Sequence, residues 1–389
     1  MIEICSKEKC TGCSACSNKC PKHCITMDVG DKLGHLYPLI NKEVCIDCGL
    51  CKKVCPIVNP LVKSKPHKAY ASWDKSEAEY MSSTSGGVAS AISRQFIKKG
   101  GIVYGCSMLP GVKARHIRIS TIGETYKLKG SKYVQSSTEG VYANILNDLM
   151  SDRSVLFIGT PCQVAAARKF VGKFGKNLFT IDLICHGVPS QKYLLDCTKK
   201  IIKDYSNVIA VFRNRNIYQL GLKDVDKDDY FYLNTLEDNR FEPTYINNFF
   251  NGFTIRNSCH NCTFAKSERV SDLTIGDFWG LGRKVEFVHS HPFGCSVVLP
   301  ITDKGETLVE SIHEYVHLYE RTVEEAIEGN DKLRHPTQKT KATRLFLLLL
   351  PHIGIVGASC VGNSLLRFSL YFNHMINKIK RWIKKMLGF

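Results

Sequence analysis

The feature that most constrains this chain is a cysteine pattern that occurs twice within its first 56 residues. The two segments are Cys10-x2-Cys13-x2-Cys16-x3-Cys20-Pro21 and Cys45-x2-Cys48-x2-Cys51-x3-Cys55-Pro56. Two-residue gaps wrap three thiolates around one corner of a cubane cluster, and in two-cluster ferredoxins the fourth cysteine of each run ligates the other cluster. The spacing therefore predicts two [4Fe–4S] sites, one formed by Cys10, Cys13, Cys16 and Cys55 and the other by Cys45, Cys48, Cys51 and Cys20. A zinc ribbon would instead use two pairs of ligands.

The other cysteines near the N-terminus do not fit this pattern. Cys5 and Cys24 flank the first run, and we interpret them as small buried thiols rather than ligands. The chain has 18 cysteines, and residues 1–20 contain no apolar core of a signal peptide. Clustered cysteine in a chain without a secretory route is typical of metal ligation in a reducing compartment, so we expect a cytoplasmic protein.

The texture of the sequence divides the chain into four parts. Residues 1–60 form the predicted ferredoxin-like domain, and the Pro- and Lys-rich residues 61–68 a linker. Residues 69–330 alternate strand-like and helix-like runs, which predicts an α/β core with at least partly parallel pairing. The stretch from Val208 to Pro300 has shorter strands and predicts a mixed sheet. The fold class expected is therefore α+β or α/β: a small two-cluster domain, a larger mixed α/β domain, and a helical tail over 331–389.

Four further cysteines occupy positions that suggest a third cluster. Cys162 and Cys185 each follow a predicted strand, and Cys259 and Cys262 form a Cys-x2-Cys. In parallel α/β sheets, sites gather at the carboxyl ends of the strands, so these thiols could close a third cubane. The alternative is two buried thiols and a separate metal or redox pair. Cys106 and Cys295 also lie near predicted strands, and either could replace one of the four.

Several phrases of the larger domain resemble one known family. They are Ser85-Gly-Gly-Val88, Gly130-Ser-Lys-Tyr-Val-Gln-Ser136, Phe157-Ile-Gly-Thr-Pro-Cys-Gln163, Ile181-Asp-Leu-Ile-Cys-His-Gly-Val-Pro189 and Ile275-Gly-Asp-Phe-Trp-Gly280. Together they are similar to the coenzyme F420 hydrogenase/dehydrogenase beta subunit family, here behind a two-cluster ferredoxin module, and the resemblance covers roughly residues 1–320. It implies FAD and a further [4Fe–4S] cluster in the larger domain, which favours the third set of cysteines.

Three segments are candidates for holding the flavin. A Gly-rich turn at a helix N-terminus offers converging amides to a pyrophosphate; here Ser85 would cap the helix, and Gly86 and Gly87 would allow close approach. A plain capped helix is the alternative. Lys132 suits a phosphate or a reduced flavin, an assignment that depends mainly on the resemblance. Asp277 follows a strand and would bind the ribityl chain or the substrate, or else cap a turn.

These features predict a flavin-dependent iron–sulfur oxidoreductase. It would pass electrons between the ferredoxin-type clusters, a third cluster and FAD, and on to a two-electron acceptor or donor, for which the family name suggests coenzyme F420. The partner would be a redox protein or a small redox molecule. The alternatives are a non-catalytic electron-relay subunit that docks to an enzyme, and a cluster-based disulfide reductase that uses Cys185 or the pair Cys259 and Cys262.

The basic charge is concentrated in the tail. Eleven Lys and Arg residues and one acidic residue lie between Asp331 and Phe389, which argues against a nucleic-acid-binding surface spread over the protein. An uncharged stretch, Leu345 to Leu366, has the length of a membrane span but contains Pro351 and Asn363. At helical spacing, one face of the tail is apolar (Phe372, Met375, Ile376, Ile379, Trp382, Ile383, Met386, Leu387) and the other is basic (Lys378, Lys380, Arg381, Lys384, Lys385).

This pattern is typical of a helix that lies in a membrane interface, so we expect peripheral contact with anionic lipid on the inner face of the membrane. A groove on a partner protein and docking on the protein's own core are the alternatives.

Overall fold

The computed structural model describes residues 3–214, 217–227, 230–235 and 244–386. The strands are β1 Ile25–Val29, β2 Leu36–Ile40, β3 Ala69–Asp74, β4 Ile102–Leu109, β5 Lys113–Ile119, β6 Val155–Gly159, β7 Leu178–Leu183, β8 Val208–Asn214, β9 Ile217–Asp224, β10 Tyr230–Thr235, β11 Leu273–Asp277, β12 Ser296–Pro300 and β13 Val316–Arg321. The α-helices are α1 Ala15–Lys19, α2 Leu50–Val54, α3 Glu77–Met81, α4 Val88–Lys98, α5 Val141–Met150, α6 Pro161–Val171, α7 Gln191–Lys199, α8 Tyr245–Phe250, α9 Asp303–Glu310, α10 Val323–Gly329 and α11 Lys341–Met386. Short 3-10 helices cover Ile122–Leu128, Gly172–Asn177, Asn257–Asn261 and Asp331–Leu333.

The N-terminal domain repeats one local structure around its two cysteine runs. Each run enters a one-turn helix, α1 or α2, through a residue in the left-handed region, Ser14 (φ 59°) or Gly49 (φ 70°). The fourth cysteine of each run then ends the helix in an extended conformation. The antiparallel pair β1 and β2 joins the two halves. The similarity of the two loops follows from the identical cysteine spacing.

The larger domain is built on an eight-stranded sheet in the order β13-β3-β12-β11-β7-β6-β4-β5. Its central strands β11, β7, β6 and β4 pair in parallel, whereas β5, β12, β3 and β13 pair antiparallel to their neighbours. The predicted fold class and partly parallel pairing are confirmed. The parallel arrangement places the carboxyl ends of β6, β7 and β11 at one edge of the sheet.

The region from Val208 to Pro300 differs from the single mixed sheet predicted for it. Strands β8, β9 and β10 form a separate antiparallel sheet in the order β10-β9-β8. Strands β11 and β12 instead join the main sheet, where the apolar residues Leu273, Val297 and Val298 are fully buried. An apolar strand gains more by burial inside the main sheet than by pairing with its neighbours in sequence.

The ferredoxin-like domain packs against the same face of the main sheet as α5 and α6. Ala15 of α1 and Val54 of α2 share one apolar cluster with Phe157 of β6 and Val164 of α6. Helices α4 and α9 contribute Ile92 and Leu308 to a second cluster that includes Leu156 and Ile181. The two-cluster domain is therefore part of the packed core.

The C-terminal helix is described as backbone up to Met386, and its side chains only up to Ile379. Of the predicted apolar face, Phe372, Met375 and Ile379 are exposed. Leu387 lies outside the described residues, and the side chains of Trp382, Ile383 and Met386 also lie outside the description. The side chains of the predicted basic residues also lie outside the described part of the chain, namely those of Lys380, Arg381, Lys384 and Lys385.

Candidate functional site

The structure brings together the cysteines predicted for the first cluster. The Cys5 thiol hydrogen-bonds to both Cys10 and Cys55, and this contact lowers the pKa of each to about 6. Burial raises the pKa of Cys16 above its ordinary value, and the nearby thiols of Cys13, Cys10 and Cys55 add to that effect. The four predicted ligands therefore surround one point, with Cys5 beside them.

The cysteines predicted for the second cluster also converge. A small cavity is lined by Cys20, Cys45, Cys48 and Cys51, and by Cys24 as well. The Sγ atoms of Cys20 and Cys24 are 3.3 Å apart, and Cys24 also hydrogen-bonds to Cys45. Cys24 thus stands at the second site as Cys5 stands at the first. Cys5 and Cys24 were interpreted from the sequence as small buried thiols. In the structure each of them contacts two of the predicted ligands.

The third set of cysteines meets at the carboxyl edge of the main sheet. Cys162 lies in the first turn of α6, directly after β6, and Cys185 follows β7 by two residues. The 3-10 helix Asn257–Asn261 carries Cys259 to the same place. Gly187, at φ +131°, makes this approach possible, because a Cβ atom there would be 3.2 Å from Cys259 Cβ.

The four thiols are close enough to influence one another's protonation. Burial, together with the neighbouring thiols of Cys262 and Cys185, raises the pKa of Cys162 to about 12. Burial and Cys262 likewise raise the pKa of Cys185 to about 11. Burial and the other three thiols raise the pKa of Cys259 well above its ordinary value. A set of four cysteine thiols is the donor set that a cubane requires.

The substitutes considered from the sequence lie elsewhere. Cys106 is on β4 near Lys132, and the Cys295 thiol faces the Ser72 carbonyl. Across the described ranges, no three His, Cys, Asp or Glu side chains converge as the ligands of a single metal ion would.

The first and third cysteine sets meet across the contact between the two domains. Cys162 is near enough to Cys13 to raise the pKa of that thiol, in addition to the larger effect of burial. Thr138 Oγ1 and Tyr142 OH donate hydrogen bonds to the Cys13 carbonyl, at 2.8 and 3.0 Å. Gln135 Nε2 donates to the Thr11 carbonyl at 3.0 Å. These bonds hold the first cysteine loop directly on the larger domain.

Arg256 is a site residue that sequence reasoning missed. Its side chain is fully buried, and its Nε and Nη2 donate to the carbonyls of Cys10 and Leu36, both at 2.7 Å. The guanidinium also lies 4.1 Å from the centre of the Tyr37 ring and 3.8 Å from Cys10 Sγ. Within the described part of the chain, it has no carboxylate at ion-pair distance, so the only anionic groups available to it are thiolates.

The predicted flavin turn begins its helix differently from the expectation. Helix α4 starts after Gly87, at φ 80°, with no side-chain cap, so the prediction that Ser85 caps the helix is wrong. Ser85 Oγ instead donates to the Cys295 carbonyl at 3.1 Å. A Cβ atom on Gly86 would lie 2.1 Å from the Ser72 carbonyl oxygen, so this glycine is required by the strand packed against it.

The other predicted flavin residues lie near this turn. Thr84 Oγ1 is 3.1 Å from Ser131 Oγ, which joins the turn to the loop that carries Lys132. Lys132 Nζ donates to the carbonyls of Leu128 and Lys129, and desolvation lowers its pKa to about 8.

Asp277 closes the same edge of the sheet. It ends β11, pairs in register with Ser296, and forms an ion pair with Arg213 at 2.7 Å. All five predicted flavin residues thus lie along the edge of the sheet that also carries the third cysteine set.

Comparison with known proteins identifies two regions of the chain. Residues 152–326 match the family model that describes the C terminus of the coenzyme F420 hydrogenase/dehydrogenase beta subunit. Residues 9–58 match the 4Fe-4S dicluster domain. The resemblance inferred from the sequence is therefore confirmed over these ranges.

Among solved structures, a chain from the xenon-derivatised F420-reducing [NiFe] hydrogenase complex of Methanosarcina barkeri is similar to this protein. The two share 15% sequence identity, and the match covers 77% of this chain and 91% of that chain with a TM-score of 0.43. No curated protein matches the sequence.

Proposed function

We propose that this iron–sulfur electron-transfer protein, which is related to the coenzyme F420 hydrogenase beta subunit, is a flavin-dependent oxidoreductase of the cytoplasm. It would hold two [4Fe–4S] clusters in its N-terminal domain, a third at Cys162, Cys185, Cys259 and Cys262, and FAD beside the third. When bound, such clusters carry single electrons, and FAD stores two and passes on a hydride. A two-electron carrier, with coenzyme F420 as the first candidate, would be its substrate.

The convergence of the third cysteine set carries this proposal. Its four members come from three separate segments, so only the tertiary fold places them together, and the family match spans all four. Ligands of parallel α/β sheets bind at the carboxyl ends of the strands, so four thiols gathered there support a shared ligand. The proximity of Cys162 to Cys13 supports a path between the two-cluster domain and this site.

The flavin part of the proposal is supported by the polar groups at the same edge. Lys132 offers an ammonium group to a phosphate or a reduced ring, and the Asp277–Arg213 pair offers both charges to a polar ligand. The turn at 83–87 is joined to the loop of Lys132 by the contact between Thr84 and Ser131. FAD contains each of the groups that these residues would bind.

The state of the thiols does not favour the disulfide-reductase alternative. A nucleophilic cysteine needs a lowered pKa and access to solvent. Burial raises the pKa of both Cys185 and Cys259 instead. Such thiols suit metal ligation, in which the ion displaces the proton.

The experiment is anaerobic purification with iron, sulfide and flavin quantified per chain. Three clusters give about twelve iron atoms, and the ferredoxin-like domain alone gives about eight. Replacement C162S should remove about four iron atoms and leave the signals of the N-terminal clusters intact. C295S is the matched control, because burial raises the pKa of Cys295 as it does that of Cys162, and Cys295 lies outside the set.

Two results would contradict the proposal in separable ways. Iron content unchanged by C162S would exclude this residue as a ligand and remove the third cluster as formulated. Full iron content with no flavin released on denaturation would instead identify a non-catalytic electron-relay subunit.

A further inference from the structure

The C-terminal helix folds back on itself. It is helical from Lys341 to Met386 except at Gly354, whose φ of 68° and ψ of 179° interrupt the helix next to Pro351. Phe346 and Gly362 lie on either side of this break, and a Cβ atom on Gly362 would be 3.4 Å from Phe346 Cβ. A straight helix would separate them by about 24 Å. Residues 341–366 therefore form a helical hairpin, with its tip at residues 351–356.

The fully buried residues of the hairpin are mostly small or polar, and partly buried apolar residues pack around them, namely Leu347, Leu349, Leu350, Ile355, Leu365 and Leu366. The fully buried residues are Ala342, Thr343, Phe346, Ala358, Ser359, Gly362 and Asn363. The Phe346 ring stacks on Phe253 with their centres 5.1 Å apart. Asn251 Nδ2 donates to Asn363 Oδ1 at 3.0 Å. These contacts fix which side of the hairpin faces outward.

The outward face is apolar. Leu348 is 66% exposed, Ile353 49% and Val356 51%, and no charged residue lies between Arg344 and Arg367. A helix on the surface of a protein in water has the reverse arrangement, with its apolar stripe toward the core. Small and polar residues inward with large apolar residues outward are typical of helices packed within lipid.

The length of the hairpin arms argues for insertion into one leaflet. The segment Lys341–Ile376 is long and apolar enough to cross a membrane by length and composition, with a hydropathy of 2.0. Each arm, however, has about 12 residues and a length of about 18 Å, whereas the hydrocarbon core is about 30 Å thick. Because the chain turns back at Gly354, both ends of the hairpin stay on the same side.

The charges at those ends complement a lipid surface. Lys339, Lys341 and Arg344 lie before the hairpin or in its first turn, and Arg367 and Lys378 follow it. No acidic residue occurs after Asp331. Anionic headgroups attract basic residues placed beside an inserted segment.

From these observations we infer that the hairpin inserts its tip into one leaflet of an anionic bilayer. The basic residues at its two ends bind the headgroups, and the redox domains are held at the membrane surface. The insertion is independent of the cofactors, and it adds an inserted element to the interfacial tail predicted from the sequence.

The test uses the full-length protein and sedimentation with two kinds of vesicle, phosphatidylcholine alone and phosphatidylcholine with phosphatidylglycerol. The variant I353E/V356E places two charges at the exposed tip, where the fold has no need of the apolar side chains. The control V62E/V288E places the same charges on valines that are 93% and 75% exposed outside the hairpin. We expect wild type and control to bind the mixed vesicles. We expect the tip variant to bind them at least about tenfold more weakly.

Equal binding of the tip variant and wild type to the mixed vesicles would overturn the inference, as would failure of wild type to bind them. If wild type fails to bind, sedimentation velocity tests whether a second copy of the chain covers the apolar face of the hairpin. A dimer of wild type that is lost in the tip variant would identify a second copy of the chain as the group that covers this face. Iron content of each variant shows that its redox domains are folded.

Discussion

Arg256 places a positive charge beside both the first and the third cysteine sets. It is fully buried and donates to the Cys10 carbonyl. Its charge adds to the larger effect of Cys5 in lowering the pKa of Cys10, and it opposes the rise that burial causes in the pKa of Cys162. A cluster held by four thiolates gains negative charge on reduction, so a fixed cation nearby favours the reduced state. We expect R256Q to lower the reduction potential of the cluster at Cys10 on the order of tens of millivolts, measured by an EPR-monitored titration.

Two further variants separate charge from packing at this position. R256K keeps the charge but loses the fork that spans the Cys10 and Leu36 carbonyls, so its potential should stay nearer to wild type. R118Q is the control. Arg118 lies on β5 and forms an ion pair with Asp148 at 2.9 Å, away from the cysteine sets. A potential that does not differ between R256Q and R118Q would remove Arg256 as a tuning residue.

Lys132 gives the proposed flavin site a dependence on pH. Its pKa of about 8 in the folded protein is below the ordinary value of 10.5. The folded state therefore disfavours the charged form, and this cost to stability disappears as the pH rises from about 8 to 10.5. The charge that attracts a reduced flavin is lost over the same rise.

We expect the affinity for reduced flavin to fall between about pH 7 and about pH 9, as measured by fluorescence titration under anaerobic conditions. In K132M the affinity should be lower and should not change over this range. A wild-type affinity that is constant with pH would argue that Lys132 does not contact the flavin.

The site residues that could not be predicted from the sequence are those whose contacts join distant parts of the chain. The predicted ligands of the two N-terminal clusters follow from the spacing within each cysteine run, and the structure brings both sets together. Arg256 instead contacts a carbonyl 246 positions away in the chain, and Thr138 contacts one 125 positions away. No local pattern records such contacts, because they exist only once the two domains pack together.

At the scale of elements, apolar runs bounded by turn residues predict a strand over Val155–Gly159, which the structure confirms as β6. The sequence also predicts a helix over Gln191–Tyr205, which ends at Lys199 in the structure, and the short helices such as α1, α2 and α8 were not predicted. The separate β8–β10 sheet could not be predicted, since strand pairing depends on partners distant in sequence. The hairpin at Gly354 was missed for a related reason: a single glycine breaks the helix, but only the contact with Phe253 shows that the chain turns back.

The turn before α4 provides a prediction about packing. A Cβ atom on Gly86 would lie 2.1 Å from the Ser72 carbonyl and 2.8 Å from the Ser296 amide nitrogen. We expect G86A to cost on the order of 1–3 kcal/mol of stability, because neither backbone group can move alone. Thermal unfolding of G86A and of the control G123A, whose added Cβ would meet nothing within 4 Å, measures the difference.

Equal unfolding temperatures for the two variants would show that the turn can relax away from β3 and β12. In that case Gly86 would again be a candidate for close approach to a phosphate. A selective loss of stability in G86A would assign its requirement to the sheet.

For the whole molecule, the consequence of the fold is that electron transfer needs no movement of domains. The loop of Cys13 is bonded to Thr138 and Tyr142, Arg256 reaches from the third cysteine set to Cys10, and Ala15 lies in the core of the larger domain. These contacts are made by buried groups, so breaking them costs the burial as well as the hydrogen bonds. The first and third sets are therefore held at a fixed separation.

With the proposed third cluster in place, a fixed and short separation predicts that the clusters at the first and third cysteine sets interact magnetically when both are reduced. The EPR spectrum of the fully reduced wild type should be broadened or split, and the spectrum of C162S should lose this broadening while the N-terminal signals remain. C197S is the control, because burial raises the pKa of Cys197 as it does that of Cys162, and Cys197 lies on α7 outside the third set. A reduced wild-type spectrum that is the plain sum of isolated signals, unchanged by C162S, would contradict the proposed third cluster beside Cys13 and with it the proposed path across the molecule.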